Sequence, residues 1–269
     1  IPMKKDLEIH CIDVGQGDST LIITPNEKNI LIDGGGSEDY DVGNNTLIPY
    51  LLSMGIYKID IMIISHFDTD HVMGLIEVAK SIDVDRIIIG KQKEEYANLK
   101  LLKEIIKEKN IKINVVKKGD IINIEKNINL YILWPKTELI GENAINNNSL
   151  VAKLTYKRFS MLFTGDIEAI AEEEILEIYK NTDILKCDVI KVPHHGSKGS
   201  STEKFIEKVK PQIATISSSE NNIFGHPSEV IINRLKEKKI KIFRTDKNGE
   251  ISLYISEDGK IKTKCKINV

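Results

Sequence analysis

Ser65-His66-Phe67-Asp68-Thr69-Asp70-His71 follows directly on the apolar run Ile59-Asp60-Ile61-Met62-Ile63-Ile64. The run is short, β-branched and almost wholly apolar, the pattern of a strand buried on both faces. At its end two histidines and two aspartates fall within six residues. Loops at strand ends are where a rigid scaffold holds its chemistry. Imidazole and carboxylate together suit Zn²⁺, Mn²⁺ or iron, and strand alternation does not account for four such groups. A polar turn that happens to contain histidine is the plain alternative. It explains a lone histidine well and this cluster poorly.

The chain has 269 residues, 41% of them hydrophobic, enough for a sizeable core in one large α/β domain or two small ones. Lys and Arg number 38 against 40 Asp and Glu, a formal net charge of −2. That balance does not advertise nucleic-acid binding, although a local basic groove is compatible with it. No stretch reaches the roughly 20 apolar residues that span a bilayer. The opening Ile1-Pro2-Met3-Lys4 lacks the apolar core of a secretory signal. A start at Ile1 suggests either extra residues before Met3 or a domain cut from a longer protein. Cys11, Cys187 and Cys265 are odd in number and scattered, and read as ordinary thiols, not as a disulfide framework.

From the patterning, strands are expected at Leu7–Val14, Thr20–Thr24 and Asn29–Asp33, joined by tight turns at Gly15-Gln16-Gly17-Asp18 and closed by Gly34-Gly35-Gly36. Helices are expected at Thr46–Met54, Met73–Ser81 and Lys93–Lys109, and a polar loop at Pro135–Ser149. The second half repeats the logic. A hairpin ends in Gly165-Asp166, a strand ends in Pro193-His194-His195-Gly196-Ser197, and Gly225-His226-Pro227-Ser228 precedes a helix. Two β-rich halves, each with helices, imply two sheets packed face to face with helices outside, with no linker composition to split residues 1–269 into separate domains.

Asp33, His66 to His71, Asp166, His194-His195 and His226 each follow an apolar strand. If those strands run the same way, these residues converge on one edge. Five of the six histidines lie in such loops, and only His10 sits inside a strand.

His66-Phe67-Asp68-Thr69-Asp70-His71 resembles a variant of the HxHxDH signature of the metallo-β-lactamase superfamily. Thr164-Gly165-Asp166 and Pro193-His194-His195-Gly196 resemble its later metal-binding loops. Within it, the blocks Asp13 to Ser19, Leu31 to Gly35, Ser65 to His71, Asn147 to Val151, Pro193 to Ser197 and Gly225 to Ser228 resemble the soluble domain of ComEC-type DNA-uptake proteins and their stand-alone relatives. The resemblance implies an α/β fold, a four-layer αββα sandwich, around two divalent metal ions, Zn or Mn with Mg as a further option.

By position, Asp70, His71 and His195 would hold one ion and His66 and Asp68 the other, with Asp166 bridging. Asp68 stands where the superfamily has a second histidine, making that site richer in oxygen and shifting preference from zinc toward manganese or magnesium. No histidine lies between His71 and His194. The Asn146-Asn147-Asn148-Ser149 loop stands in place of the usual third histidine, leaving the ion of His66 and Asp68 short of one ligand. Neighbouring residues at a strand end point apart, so one of His194 and His195 is expected to bind metal, and position favours His195.

Asp70, His226 and His194 are the catalytic candidates, with His226 binding phosphate or protonating a leaving oxygen. Asp33, Asn148, Ser149, Ser197 and Lys198 are the substrate-side candidates. Asp33 is also suited to hydrogen-bonding a ligand from behind. Lys186, Lys191, Lys198, Lys204, Lys208 and Lys210 give the second half a local positive bias.

Two ions sharing a hydroxide suit phosphoester hydrolysis. The resemblance therefore implies a phosphodiesterase or nuclease acting on DNA. Hydrolysis of a smaller phosphoester, as in phosphorylcholine esterases, is the second reading. A non-catalytic module of a DNA-uptake machine is the third. The expected partner is a phosphoester, DNA among them, and a longer protein could add a membrane channel. The location follows: cytoplasmic for a stand-alone chain, the outer face of the membrane for a ComEC domain.

Overall fold

The computed structural model describes residues 5–220 and 222–267; the reading of Ile1–Lys4 lies outside them. Two large sheets carry the fold. The first runs in the order Ile261–Cys265, Ile251–Ile255, Leu7–Cys11, Thr20–Ile23, Asn29–Ile32, Ile61–Ile64, Arg86–Gly90, Lys112–Val116. The second runs Lys241–Arg244, Ile213–Ile216, Val189–Lys191, Phe159–Phe163, Val151–Tyr156, Ile128–Trp134, Ile121–Glu125. In each sheet one half is an antiparallel meander and the other half parallel. Asn29–Ile32, Ile61–Ile64 and Arg86–Gly90 run together, as do Phe159–Phe163, Val189–Lys191 and Ile213–Ile216.

The parallel strands are three to five residues long and dominated by Ile, Val and Leu because they are covered on both faces. Alternate side chains therefore enter different cores. Ile61 and Ile63 point between the sheets with Ile9, Leu130, Leu154 and Met161. Met62 and Ile64 point outward, under the helices Thr69–Ser81 and Ala97–Lys109, with Leu75, Ile76 and Leu102. A third core packs Leu162, Ile190 and Ala214 beneath the helices Ala169–Ile178, Glu203–Val209 and Glu229–Glu237. Three cores separate four layers, an αββα sandwich as the sequence implied.

The boundaries shift at the functional loops. The helix expected from Met73 begins at Thr69. The amides of His71 and Val72 donate to the carbonyl of Asp68, so Asp70 and His71 belong to its first turn, where their polarity hid the helical period. The helix expected from Lys93 begins at Ala97. Strand pairing of the first strand stops at Cys11, and a wide helical turn at Gly43–Leu47 leads into the short helix Ile48–Ser53.

The Pro135–Ser149 segment, read as a polar loop, is largely folded inward. Ala144–Asn147 forms a helical turn, and Asn146 to Ser149 are all buried. Asn147 and Asn148 bond to main chain. Asn148 accepts from Ile140 N at 2.9 Å and donates to the carbonyls of Ile140 and Ala144, while Asn147 donates to the Glu142 carbonyl and accepts from Glu168 N. A polar segment can be buried when its own amides satisfy it. Among the described residues no helix is long and apolar enough to cross a membrane.

Candidate metal centre

The parallel strands deliver their carboxy-terminal loops to one edge of the sandwich, and there the predicted residues meet. Asp68 sits at the helix start in extended conformation, with its side chain making no capping bond. Asp70 and His71 follow on the first turn. Asp166 ends the Phe159–Phe163 strand after Gly165, whose φ is +52° and where a Cβ would come within 2.6 Å of Ser149. Only glycine fits that corner. His194 and His195 both have left-handed backbone, φ 50° and 52°. This is uncommon outside glycine and asparagine and is found chiefly where surrounding structure enforces it. It places the His195 imidazole in the cluster and that of His194 at its rim.

Four donor atoms stand close together. His71 Nε2 is 3.3 Å from His195 Nε2 and 3.3 Å from Asp166 Oδ2. His195 Nε2 is 3.3 Å from Asp166 Oδ2 and 3.3 Å from Asp70 Oδ2. Beside them the His66 ring centroid lies 4.1 Å from that of His71, and His66 Nε2 is 3.6 Å from Asp68 Oδ2. His66 Nε2 is fully buried without a hydrogen-bond partner. His194 stands at the rim, its Nε2 3.9 Å from Asp166 Oδ2 and its Nδ1 3.5 Å from Glu168.

A buried imidazole nitrogen with no partner, and imidazoles and carboxylates facing one another at one point, fit a divalent cation bound by N and O donors. His66, His71 and Asp166 present ligand atoms close enough to share an ion. The remaining ring nitrogens are held from behind. His71 Nδ1 lies 3.0 Å from Asp33 Oδ2, His66 Nδ1 2.9 Å from Ser65 Oγ, and His195 Nδ1 3.0 Å from the Ser217 carbonyl. Such outer bonds fix the ring orientation that leaves Nε2 for a metal.

The substrate-side candidates separate. Asp33 is buried behind His71, accepting from Ser65 N at 2.8 Å and Ser65 Oγ at 2.6 Å. Asn148 spends its amide on main chain, and Ser149 Oγ accepts from Asp166 N at 3.1 Å. These three hold the scaffold, and none faces solvent. Ser197 and Lys198 remain at the surface beside His194. His226 lies across from the histidine pair, ring centroids 5.5 Å from His194 and 6.4 Å from His195. Burial and the two neighbouring histidines hold its pKa at about 4, so near pH 7 it is neutral. A neutral imidazole offers one N–H to an oxygen. His10 stays in its strand, bonded to Glu8, Glu250 and Ser252.

Two residues escaped the sequence reading. Asp18 lies on the Nδ1 side of two histidines, 3.7 Å from His71 and 3.5 Å from His195. Lys191 pairs with Asp18 and stands 3.5 Å from Asp166 Oδ1 and 3.1 Å from the Gly165 carbonyl. Lys191, read as part of a surface bias, is thus buried, because the strand Val189–Lys191 ends inside the site. The signal for Asp18 was Gly17. A Cβ there would lie 2.1 Å from the Asp70 carbonyl oxygen, which lets the loop sit on the start of the Thr69 helix.

Without a metal, the charges compensate one another. Burial alone would lower His71 and His195, but the carboxylates of Asp166, Asp70, Asp33 and Asp18 outweigh it and raise both well above 6.5. Burial alone would raise Asp70, Asp166 and Asp18; the imidazoles, with Lys191 for the last two, hold all three down, Asp70 at about 2. The carboxylate contributions to stability are present above about pH 4 and fade as pH falls toward the folded values. The histidine contributions are present below about pH 6.5 and fade as pH rises toward the raised values. Chelated protein is therefore expected to be most stable between those limits and to lose at least about 5 °C in Tm between pH 6 and 9. Cation binding displaces those protons, so metal-loaded protein should show a flatter profile. A thermal scan of both forms across that range checks it; equal slopes would contradict it.

The arrangement and the fold together are those of the metallo-β-lactamase superfamily, and the family model of that superfamily matches residues 12–219. The chain belongs to that superfamily, whose members typically bind divalent metals. Among its relatives are ComE operon protein 3 of Bacillus subtilis, 34% identical over 91% of this chain, and competence protein ComA of Neisseria gonorrhoeae, 28% identical over 92%. Each match takes in 32% of the relative, so the chain spans about a third of their length. Among solved structures, yeast PDE1 superposes with a TM-score of 0.58 at 12% identity, covering 93% of this chain and all of PDE1, a likeness of fold.

Proposed function

We propose that this chain is a metal-dependent phosphodiesterase acting on DNA. The observation that carries it is the convergence of Asp70, His71, Asp166 and His195 at 3.3 Å separations beside His66 and Asp68. In this reading Asp70, His71 and His195 hold one cation, His66 and Asp68 the other, and Asp166 both. Bound there, two divalent cations supply Lewis acidity and an activated water for ester hydrolysis. The chain's own residues do the rest. Asp33, Asp18, Ser65 and the Ser217 carbonyl orient the imidazoles. His226 and His194 face the donor cluster from the solvent side, placed to donate N–H to phosphate oxygens. Lys198 adds charge at the rim.

The competence relatives support DNA as the ester. A choline-type cage is disfavoured because Trp134 is fully buried, its indole N–H bonded to the Asn147 carbonyl. We take residues 1–269 as one domain, a reading supported by an inter-sheet core to which both halves contribute.

The test is turnover of single-stranded DNA, double-stranded DNA and bis-p-nitrophenyl phosphate by metal-stripped protein given Mn²⁺, Mg²⁺ or Zn²⁺ in turn. Metal-dependent DNA cleavage is expected. Turnover of the small ester alone would move the function to small phosphoesters, and none with metal bound would leave a non-catalytic module.

A further inference from the structure

The loop between Ile216 and Glu229 carries a feature that the donor cluster does not use. Ile223 is 92% exposed and Phe224 62% exposed, side by side at the mouth of a polar site. Large apolar groups held together in water mark a contact surface. The loop that presents them is tied at its base. Asn222 accepts from His226 N at 2.8 Å and donates to the carbonyls of Ser219 and His226. The Phe224 ring stacks on that of His226, centroids 5.9 Å apart and planes 26° apart. His226 in turn faces His194 and His195. A line of rings therefore runs from the donor cluster to solvent, and Phe224 is its outer end.

We propose that Phe224, flanked by Ile223, is the platform on which a base of single-stranded nucleic acid stacks while a neighbouring phosphate lies at the donor cluster. The proposal rests on the phosphodiesterase reading and adds to it the strand form and the means of holding it. A base offers a flat π-face whatever its identity, so an exposed ring backed by an imidazole binds without reading sequence. Paired bases bury those faces in their own stack, so a duplex has little to give such a platform. A quaternary ammonium needs several rings around it, and one exposed ring does not enclose a cation. The patch is continuous with the rings of the site, which favours substrate over a separate partner.

The experiment compares Phe224→Ala, Phe224→Trp and Ile223→Ser/Phe224→Ala in the Mn²⁺-loaded chain of residues 1–269. Each is assayed on a single-stranded oligonucleotide and on bis-p-nitrophenyl phosphate, and titrated with an oligonucleotide containing 2-aminopurine. Phe224→Ala should raise KM for the oligonucleotide about tenfold or more and abolish stacking-induced quenching, while turnover of the small ester is unchanged. Phe224→Trp should keep both. Unchanged oligonucleotide kinetics and quenching in the double variant would overturn the platform alone. So would equal losses on both substrates, or binding of phosphatidylglycerol vesicles lost in place of DNA affinity. Small-ester turnover by the parent protein with no DNA bound would overturn the nuclease reading, and the platform with it.

Discussion

Asp166→Ala is expected to lower kcat/KM on any phosphoester substrate by at least about a thousandfold, a loss of about 4 kcal/mol of transition-state stabilisation. Its Oδ2 is 3.3 Å from the Nε2 atoms of both His71 and His195 and 3.9 Å from that of His194, so one oxygen is shared among three imidazoles. Among the described residues no other carboxylate approaches so many. In the proposed assignment its removal takes a donor from both cation positions, and it leaves two buried imidazoles facing each other at 3.3 Å.

Bound metal measured by elemental analysis should fall with activity. Rescue by excess Mn²⁺ should be partial, since charge is lost as well as a ligand. Asp166→Asn separates the two effects, keeping shape and the backbone bond to Ser149 Oγ while losing the charge. A variant that keeps its metal and activity within about tenfold would remove Asp166 from the centre of the mechanism.

What the sequence disclosed and what it hid divide along physical lines. The strand Ile61–Ile64 and the loop after it were legible because the apolar run is short and β-branched, as a doubly buried strand is, and because ligating side chains crowd where it ends. The meeting of Asp33, Asp166 and His195 was legible as well, since each follows an apolar strand. The Thr69 start of the helix was hidden by the residues that make the site, because Asp70 and His71 occupy positions where periodicity expects core or neutral surface. The backbone of His194 and His195 was hidden for a different reason. Alternation presumes extended backbone, and here the backbone is left-handed twice running. Burial of Lys191 was invisible because a lysine gives no sign of its depth until its partner is known. That partner, Asp18, lies far away in sequence across the sandwich.

That pair predicts the largest effect on stability. Lys191 and Asp18 are each 5% exposed and form an ion pair beneath the donor cluster. Burial pulls the Lys191 ammonium down, yet Asp18 and Asp166 raise it above its ordinary value, so the lysine is charged wherever the protein is folded. A buried ion pair adds little net stability when intact, but removal of one member strands the other without water or partner. Lys191→Met is therefore expected to cost about 3–5 kcal/mol and about 10 °C in Tm in the metal-loaded protein.

Asp18→Asn/Lys191→Met removes both charges and should recover more than half of that loss, because what is costly is the stranded carboxylate and not the missing attraction. Metal affinity should not recover with it. Asp18 stands behind both His71 and His195, and loss of its carboxylate should weaken metal binding about 10–100-fold in the double variant as in Asp18→Asn alone. Melting curves and metal titrations of the three variants separate these two roles. A fall of less than about 2 °C in Lys191→Met would mean that the imidazoles alone neutralise Asp18. Recovery of metal affinity in the double variant would mean that Asp18 serves only to bury the lysine.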